Sequence, residues 1–269
     1  MSIWYAILLG ILQGATEFLP VSSSGHLVLL PHIFSWPDPG LALDTVLHLG
    51  TILAVVIYFW KDLWRIALAV LGSLQKRSLA DPDARLGWYL AAATIPGALG
   101  GLLLEDYFES LFGAPKAVAG FLLVTAALLL VSEYARRKKE LALTEMSWGH
   151  ALLIGIAQML AIAPGLSRSG STIAAGMLLG YRREESARFS FLLSVPIILG
   201  SGGYQLLKLA TGEGGGAPLL FSLAGLVAAA LTGFAAISGL LYLIRRQSLW
   251  PFAVYCALLG TLVLTGLVG

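Results

Sequence analysis

The chain alternates apolar runs with short polar breaks, and the runs fall into two lengths. A helix that crosses a bilayer needs roughly 20 mostly apolar residues. Residues 41–60, 86–104, 117–132, 189–207, 219–244 and 250–268 reach or approach that length and read as six spans. Residues 3–12 and the run after His26 are too short to cross alone, the second ended by Pro31 and Ser35-Trp36-Pro37-Asp38-Pro39-Gly40. Residues 151–163 and 173–179 form a second short pair, the first stopped by Pro164. Each pair, with polar residues between its members, reads as a re-entrant helical hairpin. Polar non-helical backbone at membrane depth is tolerated only where protein or a water-filled cavity surrounds it. Between spans, residues 61–85 read as a polar loop turning at Asp81-Pro82-Asp83, and Glu105-Asp106-Tyr107-Phe108-Glu109 as an acidic connection. Arg136-Arg137-Lys138-Lys139 reads as a basic loop, Arg182-Arg183-Glu184-Glu185 as a charged connection, and Gly212-Glu213-Gly214-Gly215-Gly216 as a turn.

A hairpin followed by three spans occurs twice. Gly10-Ile11-Leu12-Gln13 matches Gly155-Ile156-Ala157-Gln158, and Pro20 with Ser22-Ser23-Ser24-Gly25 matches Pro164 with Ser167-Arg168-Ser169-Gly170. Three spans is an odd number, so the second half must run upside down relative to the first. The pattern predicts an all-α polytopic membrane protein: six transmembrane helices plus two re-entrant hairpins, an inverted-topology repeat. Its halves, about 1–140 and 141–269, form one integral membrane domain. In such folds sites lie near the midplane, where broken helices meet.

Composition agrees, with 58% hydrophobic and 12% charged residues against about 25% charged in soluble domains; mean hydropathy is +0.84. No polar stretch is long enough to fold as a soluble domain. A net charge of +2 gives no reason to expect a nucleic-acid partner. Charge placement is more informative. Segments 61–86, 133–150, 181–188 and 245–248 hold 14 of the 17 Lys and Arg, which the positive-inside rule makes cytoplasmic. Both termini and the first hairpin then face outward, and the second hairpin enters from the cytoplasm. Trp4, Trp36, Trp60, Trp64, Trp88 and Trp148 fall near the expected interfaces. Cys256, the single cysteine, reads as helix filler. The N-terminal run lacks a basic flank and is not read as a removable signal peptide.

Against this apolar background two stretches stand out. The first is Gln13-Gly14-Ala15-Thr16-Glu17-Phe18-Leu19-Pro20-Val21-Ser22-Ser23-Ser24-Gly25-His26, and the second is Pro164-Gly165-Leu166-Ser167-Arg168-Ser169-Gly170-Ser171-Thr172. Glu17 and Arg168 are costly at membrane depth unless paired or serving a site. A guanidinium offers a planar fork matched to phosphate oxygens. Hydroxyl-rich, glycine-containing turns that open a helix present backbone N–H groups and a positive dipole end to an anion. His26 can serve as acid, base or nucleophile. His48 and Asp44 share a face of the first span, whereas His32 and His150 sit at expected interfaces as bystanders. No zinc spacing occurs; oxygen-rich surroundings suggest Mg²⁺ or Ca²⁺ held partly by substrate oxygens. The residues alone indicate an intramembrane site for a phosphorylated amphiphile.

These two motifs, with Leu47-His48-Leu49-Gly50-Thr51 and Phe189-Ser190-Phe191-Leu192-Leu193-Ser194-Val195-Pro196, resemble the bacterial undecaprenyl-diphosphate phosphatase family of the bacitracin-resistance type. The resemblance implies hydrolysis of a C55 lipid diphosphate to the monophosphate and phosphate, recycling the carrier for peptidoglycan synthesis in the bacterial plasma membrane. It implies Glu17 as essential acid and metal ligand, His26 as essential imidazole and Arg168 as diphosphate clamp. Gln13, Ser22, Ser24, Gly25, Ser167, Ser169, Gly170 and Thr172 are expected to bind substrate. Many relatives carry glutamate where this chain has Gln13, which weakens any mechanism needing two carboxylate ligands. The nucleophile is either water activated by Glu17 and His26 or a hydroxyl among Ser22, Ser23 and Ser24, with Ser23 favoured by the resemblance. The partners implied are the polyprenyl diphosphate and membrane lipid, with a homodimer left open. The alternative is a lipid-phosphate transporter or flippase, because inverted repeats and broken helices are common in secondary transporters.

Overall fold

The apolar periodicity folds into helices throughout, in a computed structural model that describes residues 2–37, 40–135, 140–211 and 218–268, apart from the side chains of Leu41, Glu105 and Glu109. The expected Arg136–Lys139 loop and the Gly-rich turn lie outside the described residues. The helices are α1 (Ile3–Phe18), α2 (Ser23–Phe34), α3 (Gly40–Tyr58), α4 (Trp60–Lys76), α5 (Pro82–Leu103), α6 (Glu105–Phe112), α7 (Pro115–Tyr134), α8 (Trp148–Leu160), α9 (Arg168–Leu178), α10 (Arg183–Ala210), α11 (Leu219–Ile244) and α12 (Trp250–Leu264). Among the described residues, α5, α7, α10 and α11 are each long and apolar enough to cross a membrane. A fifth span results if α3 and α4, bent by 79° at their junction, count together.

Several boundaries differ from those the sequence suggested. Residues 61–85 are mostly not loop: α4 is amphipathic, with Ile66 buried and Trp60, Trp64, Leu68, Leu71 and Leu74 exposed. Apolar residues on one helical face average with charges on the other, so the segment reads as polar by composition. The acidic connection is the short helix α6, whose Phe108 is buried. Pro31 does not stop α2, which runs on to Phe34 and ends at Ser35 in the left-handed conformation. Pro31 supplies no N–H to the Leu27 carbonyl four residues back, and α2 continues past it for one more turn. The charged connection at 182–185 becomes the first turn of α10, where Glu184 and Glu185 suit the positive helix end. The last apolar run yields only 15 helical residues in α12.

The two short helix pairs are hairpins. At the open end of α1–α2 the Tyr5 and Trp36 rings meet edge to face, and Tyr5 Oη donates to the Pro37 carbonyl at 2.5 Å. At the open end of α8–α9 the Tyr181 hydroxyl and His150 Nδ1 are 2.8 Å apart. Each hairpin runs parallel to a long helix. Gly10 lies on Gly225 and Gly14 on Ala229 of α11, while Gly155 lies on Ala93 and Met159 on Gly100 of α5. Gly14 is required by this approach: a Cβ there would stand 2.4 Å from the Ala229 carbonyl oxygen.

One end of the bundle is tied by charge. Asp62 of α4 accepts from Arg188 of α10 at 2.8 Å, and Arg65 reaches Asp83 at the start of α5 at 2.8 Å. Glu133 of α7, buried, pairs with Arg183 of α10 and accepts the Leu249 N–H at 2.7 Å. Arg245 reaches Glu184 at 2.5 Å. The four Lys/Arg-rich segments therefore meet at one end, as their charge distribution predicts. α5 begins at this end and α11 finishes there, so the two hairpins enter the bundle from opposite ends and meet tip to tip.

Candidate active site

The hairpin tips are the two polar motifs. Ser22 adopts φ 69° and caps α2, its Oγ accepting the Gly25 N–H at 3.2 Å. Ser167 caps α9, its Oγ accepting the Gly170 N–H at 3.0 Å. Ser22 Oγ and Ser24 Oγ are 3.3 Å apart, and Ser167 Oγ and Ser169 Oγ 3.2 Å. The turns are alike to the hydroxyl, and Ser23 and Arg168 occupy the same position in each, the first residue of the helix.

Both of those residues converge on Glu17. Ser23 Oγ donates to Glu17 Oε2 at 2.6 Å, and Arg168 Nη2 donates to Glu17 Oε1 at 2.7 Å. Gln13 Nε2 adds a third donor, 3.0 Å from Oε2. Glu17 lies in the last turn of α1, with its carboxylate buried. Ser169 Oγ donates to the Leu19 carbonyl at 3.0 Å, and Gly25 packs on Gly165, so backbone as well as side chains joins the tips. Ser23, Ser24 and Arg168 are only partly covered, whereas Ser22, Ser167, Ser169 and Gly170 are buried. The first N–H groups of α2 and α9 precede any intrahelical bond, and the residues that open the two helices, Ser23 and Arg168, meet on Glu17.

Other expected residues sit differently. Thr172 turns its hydroxyl onto the Arg168 carbonyl at 2.8 Å and Ser190 Oγ at 2.6 Å, on the face of α9 that packs on α10. His26 is held by the Ser22 carbonyl at 2.7 Å and the Tyr255 hydroxyl at 2.6 Å, with no bond to Glu17, Ser23 or Arg168 among the described residues. His48 Nδ1 lies 2.9 Å from the Asp44 carbonyl, within electrostatic range of Glu17 and Arg168.

Three supporting residues were not singled out for the site by the sequence, although Ser190 lies in one of the stretches that resemble the family. Thr125 of α7 holds the second turn from both sides, donating to the Gly165 carbonyl at 3.0 Å and accepting the Ser167 N–H at 3.0 Å. Gly165 has φ 94°, and a Cβ there would stand 2.2 Å from the Val118 carbonyl oxygen, so only glycine fits. Ser190 steadies Arg168 through its carbonyl, 3.4 Å from Nη1. Tyr255 is the third. The open depression between α4 and the start of α5, lined by Arg65, Lys76, Asp81 and Asp83, lies away from both motifs.

Fold and site together define a multi-pass helical membrane protein in which a buried carboxylate, an arginine and two serine-rich turns meet where two opposed helical hairpins come together. Comparison with known proteins makes this more specific. The family model described as bacitracin resistance protein BacA matches residues 6–262. A protein of Rubrobacter xylanophilus named undecaprenyl-diphosphatase is 47% identical over 262 residues, 96% of each chain. One of the same name from Moorella thermoacetica is 46% identical over 263 residues, 98% of this chain and 97% of its own. A third, from Chloroherpeton thalassium, is 42% identical over 276 residues, 98% of this chain and 96% of its own. The chain belongs to the BacA family.

Proposed function

We propose that this chain hydrolyses undecaprenyl diphosphate to undecaprenyl phosphate and inorganic phosphate, the activity that the names of its relatives state for them. The observation that carries the catalytic reading is the chain Ser23 to Glu17 to Arg168. The diphosphate enters between the tips and its tail lies among lipid. Arg168 turns from Glu17 to phosphate oxygens, where positioned charge stabilises phosphoryl transfer. Released from its ion pair, Glu17 accepts the Ser23 proton as Ser23 Oγ attacks the terminal phosphorus. The bond from that phosphorus to the bridging oxygen breaks, and undecaprenyl phosphate leaves with the electron pair. Glu17 gives its proton to solvent. Water, deprotonated by Glu17, then attacks the phosphoserine; the Ser23–phosphate bond breaks, the proton returns to Ser23 Oγ, and phosphate departs.

Among the described residues no group of three or more His, Cys, Asp or Glu could by itself hold a metal ion. The residues at the tips fit Mg²⁺ or Ca²⁺ held partly by diphosphate oxygens: Glu17 is the carboxylate, and the buried Oε1 of Gln13 has no partner and is a hard oxygen donor. When bound, such an ion would neutralise phosphate charge.

The membrane reading is one domain of two inverted halves with six crossings and two re-entrant hairpins. It is supported by matched packing: α1 lies on α11 as α8 lies on α5, and α3 packs on α11 as α10 packs on α5. The basic end is cytoplasmic in the bacterial plasma membrane, and the first hairpin and the site open outward. A cysteine placed at Ser2 should then react with an impermeant reagent in intact cells, and one at Gln75 should not; the reverse pattern inverts the orientation.

The deciding assay is phosphate release by purified protein from the C55 lipid diphosphate, with and without chelator. Release that chelator stops and Glu17→Gln abolishes supports the proposal. No release with any divalent ion sinks it. Single-turnover trapping of phosphoserine at residue 23 separates the serine route from direct attack by water. The opposed hairpins also favour the transporter reading, under which lipid moves between leaflets with no phosphate released.

A further inference from the structure

Both nitrogens of His26 are engaged, by groups that fix its tautomer. Nδ1 lies 2.7 Å from the Ser22 carbonyl oxygen. A carbonyl only accepts, so Nδ1 carries the hydrogen and Nε2 is a lone pair. Nε2 lies 2.6 Å from the Tyr255 hydroxyl, which therefore donates. The two rings are parallel within 3°, with centroids 5.6 Å apart. His26 is buried, while Tyr255 is 44% exposed, so nothing about packing alone demands a hydroxyl on this ring.

His26 leads directly to the nucleophile. The Ser22 carbonyl accepts both the His26 ring N–H and the His26 backbone N–H, the latter at 3.2 Å. Ser22 is held at φ 69°, a conformation that a non-glycine residue keeps only when its surroundings over-determine it. The next residue is Ser23, whose hydroxyl donates to Glu17. One line of contacts thus runs from Tyr255 in the last helix through His26 and the strained turn to the Ser23 hydroxyl.

We propose that Tyr255 is a positioning residue for the reaction: its hydroxyl donates to Nε2 and anchors the His26 ring, whose Nδ1–H in turn holds the Ser22 turn that aims Ser23 at Glu17. The inference rests on the phosphatase reading above. Without the hydroxyl, the His26 ring loses its second anchor, its Nδ1–H bond to the Ser22 carbonyl loosens, and Ser23 spends less time on Glu17. Phosphate is held elsewhere, by Arg168 and the helix ends, so the loss falls on turnover and not on binding.

The test is Tyr255→Phe, which keeps the ring and removes the hydroxyl. With C55 lipid diphosphate, kcat is expected to fall roughly tenfold, the rate equivalent of one lost hydrogen bond, with KM within about twofold of wild type. In ¹⁵N-histidine spectra, with His26 assigned through His26→Gln, the wild type should show Nδ1 protonated and an Nε2 resonance shifted by an accepted hydrogen bond, and the variant should lose that shift at Nε2. Both changes are required. An unchanged Nε2 shift, an unchanged or raised kcat, or a loss confined to KM overturns the proposal. If the variant does not fold, the wild-type spectrum still decides: His26 protonated on Nε2, or an Nε2 that accepts no hydrogen bond, overturns the proposal, and an Nδ1–H ring whose Nε2 accepts supports it. Inactive wild-type protein would instead defeat the phosphatase reading, a failure distinct from these.

Discussion

Glu17 and Arg168 each sit at the wrong end of a helix. Glu17 is in the last turn of α1 and Arg168 is the first residue of α9. A charge facing the like-signed end of a helix dipole is disfavoured by about 0.3–1 kcal/mol. Each compensates the other across a 2.7 Å ion pair, and a diphosphate would compensate Arg168 better still, because two helix N-termini already face that place. The fork geometry of arginine matters here: one arm reaches Glu17 and the other lies toward the Ser190 carbonyl. Arg168→Lys keeps the charge but not the fork, and phosphate release should fall roughly a hundredfold, the usual loss of one preorganised donor. Activity within a few-fold of wild type would show that charge alone suffices. Glu17, Ser23 and Arg168 were legible because polar groups are out of place in an apolar chain. Tyr255 and Ser190 were not, since Tyr and Ser are ordinary in apolar helices and their partners lie 229 and 22 positions away.

At the scale of elements, the site is two copies of one device, a serine-capped helix start carried on a hairpin tip. The first copy holds its shape through the strained Ser22, the second through Gly165 and Thr125. Thr125 is the sole side chain of α7 bonded to that turn among the described residues, and it serves a carbonyl and an N–H at once. Thr125→Val preserves volume but leaves both groups buried and unpaired, so stability should drop by about 1–3 kcal/mol. A lower Tm in detergent, with weaker phosphate release, is the expected result; unchanged values would mean the turn is held by Gly165 alone. The sequence revealed the serine-glycine turns by their composition but misread α4, where a stripe from Trp60 to Leu74 faces outward and charges face the other way. Length and mean polarity suggest a loop; only the 3.6-residue period shows the helix.

For the whole molecule, the basic end is a clamp. Glu133 is buried and serves Arg183 and the Leu249 N–H together, tying α7 to α10 and to the start of α12. Removing one partner of a buried pair leaves an uncompensated charge, at a cost of about 3–5 kcal/mol. Glu133→Ala should therefore lower Tm well beyond the effect of an exposed variant such as Lys76→Ala, and replacing Arg183 as well should recover part of the loss. Equal effects of the two single variants would argue against the clamp.

The sequence by itself determined that the protein lies in a membrane, which segments are too short to cross, which end gathers the positive charge, and which polar groups are out of place in an apolar chain. Those follow from local quantities: run length, residue type and charge count. Tertiary structure alone decided which contacts the meeting hairpin tips make, so that Ser23 and Arg168, 145 positions apart in the chain, join Gln13 as donors to one carboxylate. It also decided that His26 rests on Tyr255 and not on Glu17. Such facts depend on which helix packs beside which, and an apolar run of suitable length looks the same whichever neighbour it will have.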